Sequence, residues 1–264
     1  MTLSPAQIQG HGDHLYEALR ARATVPPLTV RAPGITTLDA YQISRRILDR
    51  RTTDDGERVI GKKIGVTSKA VQTMLDVYTP DFGWLTDAMR FDEGTPVPIG
   101  AQLIQPRAEA ELAFVLARPL RGPGVTPGDV LAATAHVIPC FEIVDSRIEA
   151  WKIRYQDTVA DNASSGLFLL GGARVDPREI DFPKCEVGVT KNGAPLSRGT
   201  GAEAMGSPLV CVAWLANQLG ELGHTLDAGE IVLSGSLVPL EPVVPGDVMR
   251  MEMPGIGAAE VRFS

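Results

Sequence analysis

The stretch Arg107–Leu116 constrains this chain more than any other. It reads Arg-Ala-Glu-Ala-Glu-Leu-Ala-Phe-Val-Leu, alternating at first and then wholly apolar. As a β-strand it puts Glu109 and Glu111 on one face, with Ala108, Ala110 and Leu112 on the other. The apolar end suits a buried strand. Two carboxylates side by side on a buried strand lose hydration and repel each other. A divalent cation between them removes both penalties. Mg²⁺ or Mn²⁺ fits, since both take hard oxygen ligands and keep positions open for water. The alternative is a solvated edge strand with both glutamates in water, the commoner setting for an isolated Glu-x-Glu.

A third carboxylate bears on the choice. Val137-Ile-Pro-Cys-Phe-Glu-Ile-Val144 reads as a second buried strand, and Glu142 lies inside it. Glu109, Glu111 and Glu142 together form an oxygen cage for one divalent ion.

A shorter strand is expected at Val59–Val66, with glycines at 61 and 65. Glycine inside a strand marks a bulge or a close backbone approach. Lys62 and Lys63 lie on its opposite faces, so one lysine should point inward; the alternative leaves both in solvent. Helices are expected from Ser4 to about Arg22, over Thr37–Leu48 with Thr37 as cap, and over residues 67–75, 126–136 and 209–219. Arg45, Arg46, Arg50 and Arg51 then form a solvated face of the second helix. Thr79–Leu85 reads as a loop in which Asp81 bonds local backbone as a turn residue. Asp157–Gly166 is small and polar between apolar segments, which favours a binding loop. The strand Ile231–Leu233 runs into Ser234-Gly-Ser236, whose backbone N–H groups could hold a carboxylate. Asn192-Gly193 marks a hairpin, and Val248–Phe263 a final one about Gly255-Ile-Gly257.

Composition narrows the partners. The net charge of −7 argues against nucleic acid, which wants a basic face. No apolar run is long enough to span a membrane, and no basic-then-apolar leader opens the sequence, so a cytoplasmic setting is expected. Cys140, Cys185 and Cys211 have no CxxC spacing and read as buried thiols in a reducing compartment. The glycine-rich stretch 199–208 lacks the strand and helix context of a dinucleotide site, and there is no GxSxG elbow. The four histidines are scattered, without triad or metal spacing.

Five motifs occur in one order: Gly61-Lys-Lys-Ile-Gly-Val-Thr67, Pro80-Asp-Phe-Gly83, Gln105-Pro-Arg-Ala-Glu-Ala-Glu-Leu-Ala-Phe114, Pro139-Cys-Phe-Glu-Ile-Val-Asp-Ser-Arg147 and Val159-Ala-Asp-Asn-Ala-Ser164. With them the chain resembles, over nearly its whole length, the 2-hydroxypenta-2,4-dienoate hydratases of bacterial aromatic meta-cleavage pathways. Those enzymes and the 4-oxalocrotonate decarboxylases form one branch of the fumarylacetoacetate hydrolase superfamily. The resemblance implies an α+β protein. Its β-rich catalytic domain would span residues 91–264, and a helical N-terminal lobe over residues 1–90 would contribute Lys63 and Asp81. It implies a homo-oligomer, association with a neighbouring pathway enzyme, and one Mg²⁺ or Mn²⁺ on Glu109, Glu111 and Glu142. It carries the family lysine onto Lys63 rather than Lys62, and places Ser164 on the small-residue motif of the active site. It also raises Asp81 to a catalytic candidate, because the hydratases resemble this chain there while the decarboxylases carry an apolar residue.

The implied substrate is a 2-hydroxy-2,4-dienoate. Its dienol ketonises with protonation at C5, and water adds at C4 to give a 4-hydroxy-2-oxo acid. Lys63 and Asp81 are the candidates for proton transfer, the lysine with a pKa lowered by desolvation. Decarboxylation of 4-oxalocrotonate is the competing reaction. Hydrolysis of an acylpyruvate calls for a His-Glu pair that has no counterpart here. A non-catalytic partner protein should have lost a metal carboxylate, and all three are present.

Overall fold

The computed structural model describes residues 3–264. The chain opens with helices α1 (Pro5–Ala21), α2 (Leu28–Arg31) and α3 (Thr37–Thr53). Then follow β1 (Val59–Gly65), α4 (Lys69–Leu75), β2 (Asp81–Thr86), β3 (Arg90–Asp92), α5 (Ile99–Gln102) and β4 (Arg107–Leu116). Helix α6 (Pro127–Ala133) runs directly into β5 (Thr134–Val144), and α7 (Tyr155–Ala160) precedes β6 (Ser165–Leu170). The last elements are β7 (Glu186–Lys191), β8 (Ala194–Thr200), α8 (Pro208–Glu221), β9 (Ile231–Leu233), β10 (Glu241–Pro242), β11 (Val248–Met253) and β12 (Gly257–Arg262).

One mixed sheet has the order β2-β1-β9-β4-β5-β6-β3, with β10 also paired to β4. Its long centre is the antiparallel pair β4–β5, which sets Glu109 opposite Glu142 and Glu111 opposite Cys140. On its other edge β4 pairs with β9 and then with β10. The chain between those two short strands therefore runs alongside the glutamates. β1 lies parallel to β9 and antiparallel to β2. The second sheet, β12-β11-β7-β8, holds both expected hairpins. Its inner residues, among them Val187, Val189, Met249, Met251 and Val261, join the core of the main sheet. That alternation of apolar inward and polar outward is the two-residue period of a half-buried sheet.

The N-terminal helices form a second apolar cluster, in which Leu15, Ile43 and Ile47 pack with Val66, Ile148 and Val159. They thus brace the end of β1 and helix α7. Ser4 caps α1 with a reciprocal bond from Gln7. Thr36, rather than Thr37, caps α3 through the same box with Asp39, and the helix runs on to Thr53. Of the four arginines expected in solvent, Arg51 is buried, bonded to Glu57 and Thr86. Arg46 and Arg50 pair with Asp13 of α1.

Three further expectations change. The helix expected over 126–136 stops at Ala133, because Thr134 already pairs with Leu116 across the sheet. The segment expected as a loop at 79–85 is largely strand β2. The division expected at residue 90 falls inside the main sheet: the change from helix to strand comes at β1, so the strands carrying Lys63 and Asp81 belong to the β-rich body.

Candidate active site

The glutamates of β4 and β5 converge as the strand period requires. One carboxylate oxygen from each of Glu109, Glu111 and Glu142 lies within 4.8 Å of the other two. All three side chains are buried, which rules out the solvated edge strand. The Gly235 N–H donates to Glu111 Oε2 at 2.8 Å. Glu111 Oε1 and both oxygens of Glu142 have no hydrogen-bond partner. Burial, then repulsion from Glu142, pushes the Glu109 carboxyl up to about 8. Burial, then Glu109 and Glu142, drives Glu111 well above the usual carboxylate range. Buried acceptors without donors, converging from two rigid strands, fit a hard divalent cation. Among the described residues no other group of three or more acidic, Cys or His side chains is so placed.

Both lysines of β1 are buried, with opposite company. Lys62 is held by both oxygens of Glu230, at 2.5 and 2.6 Å, and lies over the Trp84 ring. Lys63 reaches the glutamates, its Nζ 3.0 Å from Glu142 Oε1, an ion pair not aligned as a hydrogen bond. Burial alone would pull the Lys63 pKa down, as the sequence reading expected. Glu142, Asp81 and Glu109 outweigh it, and the pKa lies above its ordinary value.

Asp81 is not a turn residue. It begins β2 opposite Gly65, fully buried. Its Oδ2 accepts a hydrogen bond from Thr158 Oγ1 at 2.9 Å, and its Oδ1 has no partner. Burial raises its pKa against the pull of Lys63 and Thr158. The glycines of β1 are explained here. A Cβ at position 65 would stand 2.2 Å from Asp81 Oδ1, and one at position 61 would stand 2.0 Å from the Ile231 carbonyl oxygen. The first would displace the Asp81 carboxylate, and the second would force β1 away from β9.

Ser164 ends a run of three left-handed residues, Asn162, Ala163 and Ser164, with φ of 55°, 52° and 51°. Non-glycine residues hold that conformation only where their surroundings impose it. Here Asn162 bonds both the N–H and the carbonyl of Trp84, at 2.8 and 3.0 Å. The buried Arg147 bonds the Asp161 carboxylate and carbonyl and the Ser165 carbonyl. The Ser164 hydroxyl donates to Asp161 Oδ2 at 3.3 Å. Sequence reasoning missed Thr158, Asn162, Arg147 and Asp161 as site-builders, although Arg147, Asp161 and Asn162 lie inside motifs it quoted.

Ser234, Gly235 and Ser236 do border the site, but their N–H groups are not all free for a ligand. Ser234 N–H donates to the Leu112 carbonyl and Gly235 N–H to Glu111. Ser236 Oγ bonds the Val238 carbonyl. The Ser234 hydroxyl is buried without a partner, as is that of Thr67, which packs against Gly235.

Lys63, Asp81, Glu109, Thr158 and Ser164 line one side of a cavity of about 20 Å³. Two larger hollows, of about 420 and 450 Å³, lie on the four-stranded sheet. They hold no buried carboxylate or lysine, so the chemistry is not there. No helix among the described residues is long and apolar enough to cross a membrane.

Residues 60–264 match the family model described as fumarylacetoacetate hydrolase C-terminal. The chain is 53% identical to a 2-hydroxyhexa-2,4-dienoate hydratase of Comamonas testosteroni, over 97% of both chains. It is 63% identical to a 2-hydroxypent-2,4-dienoate hydratase of Pseudomonas putida, over 80% of this chain and 95% of that one. Its fold matches the structure of 4-oxalocrotonate decarboxylase from Pseudomonas putida G7, complexed with magnesium and adipate, with a TM-score of 0.94 over 99% of both chains at 36% identity.

Proposed function

The chain belongs to the fumarylacetoacetate hydrolase family, and from that premise we propose that it is a metal-dependent hydro-lyase. It adds water to 2-hydroxypenta-2,4-dienoate, or a close analogue, to give 4-hydroxy-2-oxopentanoate in aromatic meta-cleavage catabolism. The observation that carries the reading is the trio of buried glutamates facing a buried lysine and aspartate. The hydratase names of relatives more than half identical support it.

Glu109, Glu111 and Glu142 would hold Mg²⁺ or Mn²⁺. When bound, such an ion supplies Lewis-acid polarisation of the substrate's 2-oxygen and neutralises its carboxylate. The remaining work falls to the chain's own groups. Lys63 and Asp81 stand together beside the cavity and handle the protons: one delivered to C5 as the dienol ketonises, one taken from the water that adds at C4. Thr158 fixes the Asp81 carboxyl and leaves its Oδ1 free to face the substrate. The Ser234 hydroxyl, which has no partner in the fold, serves as a donor to the substrate's polar end, and Ser164, whose proton goes to Asp161, offers its oxygen as an acceptor. The apolar wall of the cavity excludes bulk water, so that a single water can be aimed. Homo-oligomeric assembly, association with a neighbouring pathway enzyme and a cytoplasmic setting belong to the same reading.

The test is loss of dienol ultraviolet absorbance from 2-hydroxypenta-2,4-dienoate with the product identified. Metal-dependent formation of 4-hydroxy-2-oxopentanoate is the expected result, reduced strongly by Asp81→Ala. Release of CO₂ from 4-oxalocrotonate, untouched by that substitution, would instead make the protein a decarboxylase.

A further inference from the structure

The cavity has two unlike ends. Lys63, Asp81 and Glu109 stand at one. Val71, Leu75, Val144, Trp151 and Leu240 close the other, and these five pack together as an apolar cluster of their own. We infer that this end selects substrates with a short uncharged tail at C5, that it excludes a tail ending in a carboxylate, and that Trp151 is the specificity-determining residue. The inference rests on the hydratase reading and specifies its substrate class.

Trp151 is fixed in place. It and Ala150 adopt left-handed backbone, with φ of 56° and 52°, which turns the indole back toward the cavity. Its Nε1–H donates to the Gln105 carbonyl at 3.0 Å. The Arg107 guanidinium stacks on the ring, 4.8 Å from its centroid. A ring held by a hydrogen bond and a stacked cation is a wall rather than a movable gate. Trp151 lines the cavity together with Val71 and Leu240, so side-chain volume at this end bears directly on which tail can be seated.

Charge reinforces shape. Lys63 is the one cation lining the cavity, and it already pairs with Glu142. Arg107 is not part of the lining, since it lies against Trp151. A second carboxylate at the apolar end would lose its water and meet no donor, a heavy penalty in a dry site. A methyl group there gains contact instead. One methylene in a hydrophobic pocket changes kcat/KM by roughly 10- to 200-fold.

The experiment compares kcat/KM of the Mg²⁺-loaded protein for 2-hydroxypenta-2,4-dienoate, its 5-methyl and 5-ethyl homologues, and the analogue bearing a carboxylate at C5. We expect the carboxylate analogue to be at least about 100-fold worse than the best uncharged substrate. Trp151→Ala should raise the ratio of 5-ethyl to unsubstituted substrate by about tenfold or more, while Trp151→Phe shifts it less. Leu240→Ala, in the same apolar cluster, should move the ratio the same way. A carboxylate analogue used as well as the uncharged ones, or a ratio unmoved in both alanine variants, would overturn the inference. Binding of 2-oxohexanoate against 2-oxoadipate, neither of which can be hydrated, reads the same discrimination without turnover. Preference for 2-oxohexanoate with no hydration of any dienoate would fault the proposed reaction and leave this inference standing; equal binding would overturn it.

Discussion

Arg147 and Asp161 make one buried charged cluster; Glu109, Glu111, Glu142, Asp81 and Lys63 make another. In the first, one cation meets one anion. The Asp161 carboxylate accepts from the Arg147 Nε at 2.5 Å, the Arg147 N–H at 3.0 Å and the Ser146 hydroxyl at 3.1 Å. The guanidinium donates its remaining bonds to the carbonyls of Asp145, Asp161 and Ser165. In the second, four carboxylates face one ammonium, and Glu111 Oε1, Asp81 Oδ1 and both Glu142 oxygens lack a hydrogen-bond partner. Both clusters are equally removed from water. The balanced one holds the left-handed run 162–164 in place. The unbalanced one has more carboxyl groups than the fold can keep ionised, so Glu109 and Glu111 hold their protons until a cation takes the protons' place, which is the condition for binding one. Burial of charge therefore does not mark function; lack of internal balance does.

The contrast can be broken by unbalancing each cluster in turn. The largest effect is expected from Lys63→Met, which should lower kcat by roughly 10²- to 10⁴-fold in the dienol assay, with the fold retained by circular dichroism. A near-normal rate would remove Lys63 from the chemistry. Next in size is Arg147→Met, which leaves Asp161 buried without its partner. It should lower stability by about 3–5 kcal/mol in urea unfolding. A loss under about 1 kcal/mol would mean that this cluster behaves like a surface ion pair.

The pH dependence sharpens the same comparison. With Glu109 raised to about 8, the folded protein without a cation keeps a proton there that the unfolded chain releases near the ordinary carboxylate value. The neutral form is the one the fold favours. The Glu109 contribution to stability without a cation should thus be most favourable below the ordinary carboxylate value and fall as pH rises toward 8, a slope that Glu109→Gln removes. Cation binding displaces that proton, so affinity for Mg²⁺ should climb by up to about tenfold per pH unit for each proton released. Calorimetric titrations at pH 6, 7 and 8 check this, and a flat profile would contradict the assigned carboxylates. The smallest effect is far from both clusters. Thr36→Ala removes the α3 cap and should cost about 1 kcal/mol in stability, with kcat unchanged.

The sequence made some of this site legible and hid the rest for definite reasons. Glu109 and Glu111 are readable because a two-residue period fixes which side chains share a face, and Glu142 because it interrupts an apolar run. The period could not choose between Lys62 and Lys63, since both faces of β1 are covered. The partner that neutralises Lys62 is Glu230, 168 residues away. Asp81 is opaque by itself, because its burial depends on pairing with Gly65 and on a hydroxyl from α7. The Ser234–Ser236 turn reads as a row of free N–H groups, but two of them are taken up by β4, the Ser234 N–H by Leu112 and the Gly235 N–H by Glu111. Trp151 had no signal at all, since Ala-Trp is not a sequence that announces left-handed backbone.

Equilibrium titration with Mn²⁺, following the free ion by electron paramagnetic resonance, tests the central claim most directly. The account predicts one site per chain in the native protein. In Glu111→Gln that site should be lost or much weakened, while thermal stability in EDTA is nearly unchanged, because the buried Glu111 carboxyl is already neutral without a cation. No bound Mn²⁺ in the native protein, or equal binding by Glu111→Gln, would contradict it.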